Sequence, residues 1–148
     1  KNDIIKSLKK ELSADESMIL PKIEKQKEDI TQLKRQADMI RKDLALSISK
    51  TLETKTKMTF VFEDLDFITL GHLESILIEK SETVILGSTI DNKITTVTNN
   101  QDINLGQFFK NNIKTFNGKG GGSKDKAQGS FENAESLNDF YKSLISSI

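Results

Sequence analysis

Cysteine and tryptophan are absent from this chain of 148 residues, and proline, histidine and tyrosine occur once each. Without cysteine there can be no disulfide and no thiolate metal site, which fits a reducing, cytoplasmic setting. With one imidazole, His72, and no thiol, neither a zinc ligand set nor a Cys/His or Ser-His-Asp arrangement can be assembled. His72 follows Gly71 on a stretch whose apolar side is Leu70, Leu73 and Leu77, which reads as a structural histidine at a helix surface. No apolar run nears the roughly 18 residues of a membrane span, and no signal peptide opens the chain, so a soluble protein without a membrane partner is expected. Lys1 stands where a methionine would begin a complete protein, so the chain reads as part of a longer one.

Net charge is zero, with 22 basic and 22 acidic side chains, so no overall field draws the protein to nucleic acid. The balance is nonetheless uneven: residues 1–57 carry 14 basic and 10 acidic side chains, and residues 58–148 carry 8 and 12. Within the acidic second part, Lys110, Lys114, Lys119, Lys124 and Lys126 face only Asp125, which makes a local basic patch.

Residues 2–50 read as helix in two pieces. A first piece places Ile4, Ile5, Leu8 and Leu12 on one face and ends near Ser13, where Ser13-Ala14-Asp15-Glu16 has the form of a capping box. Pro21 lies eight residues beyond that cap, so either the helix kinks there or it starts later. After Pro21, Ile23, Ile30, Ala37 and Leu44 recur every seven residues, with Leu33 and Ile40 interleaved and Gln26 and Ser47 interrupting the second series. Such a seam either packs on the chain's own domain or on the short helix before it, or pairs two chains as a coiled coil; these six residues are the candidate dimerisation stripe.

From Thr51 onward β-branched and aromatic residues take over. Strands are expected at 58–62, 83–87 and 94–98, the last two joined by the turn Asp91-Asn92, with a helix at 67–80 between the first pair. Leu105, Phe108, Phe109, Ile113 and Phe116 share a helical face, capped by Asn104 and stopped at Asn117-Gly118. A short strand over 124–130 and a last helix from Asn133, with Leu137, Phe140, Tyr141, Leu144, Ile145 and Ile148 inward, complete the order. The expected class is α/β: an N-terminal helical hairpin or coiled-coil segment (1–57), then a small mixed-sheet β-α-β-β-α-β-α domain (58–148).

The acids Glu63, Asp64 and Asp66 precede a helix, where the dipole alone attracts them. The segment Asn117 to Ser130 is the chain's most informative part: four of the five residues 118–122 are glycine, which bares the backbone to close approach. It lacks the spacing of a P-loop and follows a helix where a dinucleotide motif would precede one. A flexible linker would leave Ala127-Gln128-Gly129-Ser130 unexplained and the amphipathic C-terminal helix without a core to cover.

Gly118-Lys119-Gly120-Gly121-Gly122, four further positions and then Ala127-Gln128-Gly129-Ser130 resemble the glycine signature of the DHHA1 domain that ends alanyl-tRNA synthetases and the long freestanding alanyl-tRNA editing proteins. The order of elements from Met58 to Ile148 is similar as well, and Leu12-Ser13 to Ile23 resembles the entry to the family's coiled coil. Two positions depart from the family: Ser123-Lys124 stands where Arg-Pro is common, and Ser130 where a further glycine is. DHH-type phosphoesterases carry a related domain whose glycine motif typically includes a histidine, missing here, so the synthetase-like branch is favoured.

The resemblance implies a homodimeric module that binds alanine tRNA and catalyses nothing itself, belonging to an editing protein that removes wrongly attached Ser or Gly. Alternatives are the C-terminal domain of a synthetase, a purely structural dimerisation module, and the substrate-binding domain of a DHH-type phosphoesterase. The RNA would meet Gly118, Lys119, Gly120, Gly121, Gly122, Ser123, Lys124, Lys126, Gln128 and Gly129. No cofactor is expected in this segment; the zinc of an editing protein, with its His and Cys ligands, would lie in a domain ahead of Lys1.

Overall fold

The computed structural model describes the backbone of residues 2–148, and side chains from Leu20 onward. The chain divides into two compact units, Lys1–Ile40 and Arg41–Ile148. The first is helical throughout its described length, because helix α1 runs without interruption over Asn2–Thr51. The expected break near Ser13 is thus corrected, and so is the hairpin: the backbone is helical through Ser13 and through Pro21, which lies inside α1. A proline deletes one donor from the ladder, and helical pattern on both sides carries the helix past it. The side chains of the proposed box, Ser13 and Glu16, lie outside the described residues.

Among the described residues the heptad stripe is largely exposed. Ile23, Ile30, Leu33, Ile40 and Leu44 are 39%, 51%, 63%, 66% and 42% exposed, and Ala37 is half-buried. The contact that α1 makes with the α/β unit uses a different stripe at its C-terminal end, where Ala45 is buried and Ile48 and Leu52 pack beside it. Arg41 Nε reaches Asp66 Oδ2 at 3.0 Å on the same side.

The second unit continues with β1 (Lys57–Phe62), α2 (Phe67–Leu77), β2 (Thr83–Ser88), β3 (Lys93–Thr98), α3 (Leu105–Asn112), a 3-10 turn (Ile113–Phe116), β4 (Gly118–Gly122), β5 (Lys126–Phe131) and α4 (Ala134–Ser147). The five strands form one sheet in the order β1-β2-β3-β5-β4, with β1 and β2 parallel and the other pairs antiparallel. The parallel pair needs a crossover, which α2 supplies. Side-chain alternation along β2 explains its unbroken apolar run, because both sheet faces are covered. Val84 and Leu86 point into the layer with α2 and the end of α1, whereas Ile85 points into the layer with α3 and α4.

On the α3/α4 side Phe140 is the hub, its ring centroid 4.9 Å from Phe109, 5.1 Å from Phe131, 5.6 Å from Phe108 and 5.7 Å from Phe116. Helix starts follow their caps: Asp66, Asn104 and Asn133 each accept from the backbone N–H three residues on. Asn117 ends the 3-10 turn in the left-handed region (φ 56°), and Asn92 turns the β2–β3 hairpin in the same way (φ 51°). The expected loop at the glycine segment is the main correction to the element order: it is an edge strand, β4. Having almost no side chains, it shows no two-residue alternation for the eye to find.

Candidate nucleic-acid interface

The site is built on the β4–β5 hairpin and the start of α3. Ser123 N–H donates to the Lys126 carbonyl at 2.8 Å, closing the hairpin, and the first amides of α3 hold its turn from outside: Gly106 N–H to Ser123 O (2.8 Å) and Leu105 N–H to Lys124 O (3.0 Å). A side chain at Gly106 would strike the Gly122 and Ser123 carbonyl oxygens at 2.6 and 2.7 Å, so this glycine fixes α3 against the hairpin. Antiparallel alternation from the Ser123–Lys126 bond directs the peptide groups of Gly122 and Gly120 toward the open edge of the sheet.

A cleft beside that edge is lined by Gly106, Lys110, Ile113, Lys114 and Gly120 to Gly122, and a neighbouring one by Asn104, Gln107, Asn111, Ser123 and Lys124. On the sheet face, register places Thr95, Gln128 and Gly121 in one row across β3, β5 and β4, and Lys93, Ser130 and Lys119 in the next. Helix α2 covers β2 and β3 on this face, while Lys119, Gly121, Lys126 and Gln128 stay exposed. Backbone donors and lysines thus face solvent along the edge and across the outer face.

The glycines divide by role. Gly118 and Gly129 are buried, their missing side chains leaving room for Ile113 and, at Gly118, for Phe131. They serve the core and offer little accessible surface. Gly120 has φ +148°, and a Cβ there would land on the Gln128 carbonyl oxygen; one at Gly122 would land on that of Lys126. Gly121 differs from all of these: it is exposed, its φ lies outside the left-handed region, and nothing stands within 4 Å of where its Cβ would be. The fold does not need glycine there.

Of the ten residues expected from sequence to meet RNA, the structure therefore gathers Lys119, Gly120, Gly121, Gly122, Ser123, Lys124, Lys126 and Gln128 at the surface. Lys110 and Lys114 join them across the cleft, from the basic patch read in the sequence. Sequence reasoning missed Gly106, and it missed Glu74. That carboxylate is 3% exposed, with Oε2 accepting the Thr95 hydroxyl and Oε1 unpartnered. Burial pushes the Glu74 carboxyl up, against the pull of the Thr95 hydroxyl and the Lys126 charge. The signal was present, since the spacing that turns Leu70, Leu73 and Leu77 inward also carries Glu74 inward.

His72 sits half-buried on α2, in a hollow with Lys42, Asp43 and Leu46. Among the described residues no three His, Asp or Glu side chains gather to hold a metal ion, and no helix is long and apolar enough to cross a membrane.

No curated protein matches the chain. Among solved structures, RecJ from Thermus thermophilus in complex with Mn2+ superposes on 74% of the chain with 14% identity and a TM-score of 0.55. Exonuclease RecJ bound to manganese superposes on 76% with 11% identity and a TM-score of 0.56. These matches span 18% and 29% of the two RecJ chains and establish a shared fold. The C-Ala domain of Aquifex aeolicus alanyl-tRNA synthetase aligns at 25% identity over 60% of this chain and 86% of its own, with a TM-score of 0.47. The DHHA1 domain matches residues 54–148, the whole sheet and the helices that follow β1, and this chain belongs to the DHHA1 domain family.

Proposed function

We propose that the chain is the tRNA-binding and dimerisation module of an alanyl-tRNA editing protein, non-catalytic itself, with the glycine strand and its lysines gripping the sugar–phosphate backbone of alanine tRNA. The observation that carries this reading is Gly121, an exposed glycine that neither backbone conformation nor packing calls for. A side chain is dispensable to the fold at that point but would hold off a ligand backbone. Outward N–H groups at Gly120 and Gly122 suit phosphate or sugar oxygens, and Lys110, Lys114, Lys119, Lys124 and Lys126 add salt-sensitive attraction that reads shape over base sequence. The absence of histidine from the glycine strand supports the synthetase-like branch over the phosphoesterase one. In this reading the zinc and the hydrolysis of misplaced Ser or Gly belong to another domain of the intact protein.

The test is binding of an alanine tRNA transcript to the full chain at several salt concentrations. Lys119→Ala combined with Lys124→Ala should weaken binding and flatten the salt slope by up to about two, at somewhat under one per phosphate contact. Unchanged affinity and slope, with circular dichroism showing an intact fold, would refute the assignment. Tighter binding of single-stranded DNA than of tRNA would turn the reading toward the phosphoesterase type.

A further inference from the structure

Behind the exposed face of the glycine strand lies a polar row that solvent does not explain. Glu74 on α2 is buried beneath β3, and its only hydrogen-bond partner among the described residues is the Thr95 hydroxyl, which donates to Oε2. With Oε2 accepting from the Thr95 hydroxyl, the Thr95 proton is committed inward. The Thr95 oxygen is left to accept, and Gln128 Nε2 lies 3.5 Å from it. An amide whose nitrogen is held inward must turn its carbonyl outward. The Gln128 side chain belongs to the same cross-strand row as Gly121, the position without a side chain, and both are exposed.

From this polarity we infer that Gln128 presents its Oε1 as a hydrogen-bond acceptor for a sugar 2′-hydroxyl laid over Gly121, so that the module distinguishes RNA from DNA. A phosphate oxygen can only accept, and would be repelled by a carbonyl. The group that fits here is a donor, and on a nucleic acid backbone the 2′-hydroxyl is the donor that DNA lacks. Lysines along the same strands attract the phosphates of either polymer, which leaves recognition of the 2′-hydroxyl to the neutral acceptor between them. Thr95 is a positioning residue: it holds the amide and does not reach the ligand.

This inference rests on the reading that the glycine strand meets nucleic acid, and its test separates the two. An alanine tRNA transcript and DNA of the same sequence are each titrated against the full 148-residue chain by fluorescence anisotropy. The native chain should favour RNA. Gln128→Ala, at an exposed position that should not disturb folding, should weaken RNA binding about fivefold and leave DNA binding unchanged. Gln128→Glu keeps the acceptor but adds a charge, so both affinities should fall while their ratio survives. Thr95→Val frees the amide to rotate and should lower the ratio part of the way. No RNA preference in the native chain, or a preference unmoved by Gln128→Ala, overturns the inference alone. If neither polymer binds, the functional reading falls and takes the inference with it.

Discussion

Gly120 and Gly121 are neighbours in β4 with opposite duties. Alanine at Gly120 meets both a positive φ and the Gln128 carbonyl, so Gly120→Ala should cost more than about 1 kcal/mol in a urea unfolding experiment. Gly121→Ala has room and an ordinary φ; its stability should stay within about 0.5 kcal/mol of the native chain while tRNA affinity drops. Equal stability losses at the two sites would contradict this division. Glu74 gives a second residue-scale prediction. Its folded pKa lies above the unfolded value, so between those two values the native state holds more protons and stability falls as pH rises. Asp66 acts in the reverse sense: hydrogen bonds from the Thr69 hydroxyl and backbone, with Arg41 nearby, hold its carboxyl down, and its contribution is lost as pH falls through its lowered pKa. Glu74→Gln should therefore flatten the loss of stability on the rising side, and urea midpoints measured from acid to neutral pH would show whether it does.

The same glycines make β4 a strand defined by its neighbours. It has no side-chain alternation and is ordered by pairing with β5, by the amides of α3 and by Asn117, which turns the chain into it. At this scale the core holds at Phe140, where four rings converge, and Phe140→Ala should destabilise the α/β unit by about 3–5 kcal/mol. The hairpin and α3 should loosen with it, and tRNA binding should weaken. Helix α1 differs in kind, because its heptad stripe is exposed and its contact with the sheet uses other residues. We expect two chains to pair through that stripe. Ile30→Lys together with Leu33→Lys would place unpaired charge in the seam and should convert dimers to monomers in sedimentation without unfolding the α/β unit. A native chain that sediments as a monomer at every accessible concentration would rule the pairing out.

Taken whole, the molecule carries an exposed glycine strand and an exposed helix stripe. The expected outcome for the purified chain is no release of serine from mischarged alanine tRNA, and no change on His72→Ala. Measurable hydrolysis abolished by that substitution would place chemistry in the α/β unit after all. In the proposed dimer, two glycine strands would engage tRNA with an effective concentration that a monomer lacks. The Ile30/Leu33 variant should then bind more weakly than the native chain although its glycine strand is untouched, provided both strands can reach one RNA.

Much of this was legible in the sequence because it is local. Caps at Asp66, Asn104 and Asn133 mark their helices, since each satisfies an orphan N–H three residues on. The apolar run of β2 and the glycine signature that resembles the DHHA1 family are likewise readable without coordinates. The continuity of α1 through Ser13 and Pro21 was not, because a capping box and a proline are local stop signals that a long helical pattern overrode. Nor was β4, whose order depends on partners distant in sequence. The strand order β1-β2-β3-β5-β4 turned a run of glycines into an edge with separate duties, Gly118 for the core, Gly120 and Gly122 for close pairing and Gly121 for none. It also brought Glu74, Thr95 and Gln128, from three separate elements, into one row. Sequence fixes which residues can cap, alternate or bare the backbone; which of them meet is set by the pairing of strands far apart in the chain, and only the folded sheet supplies it.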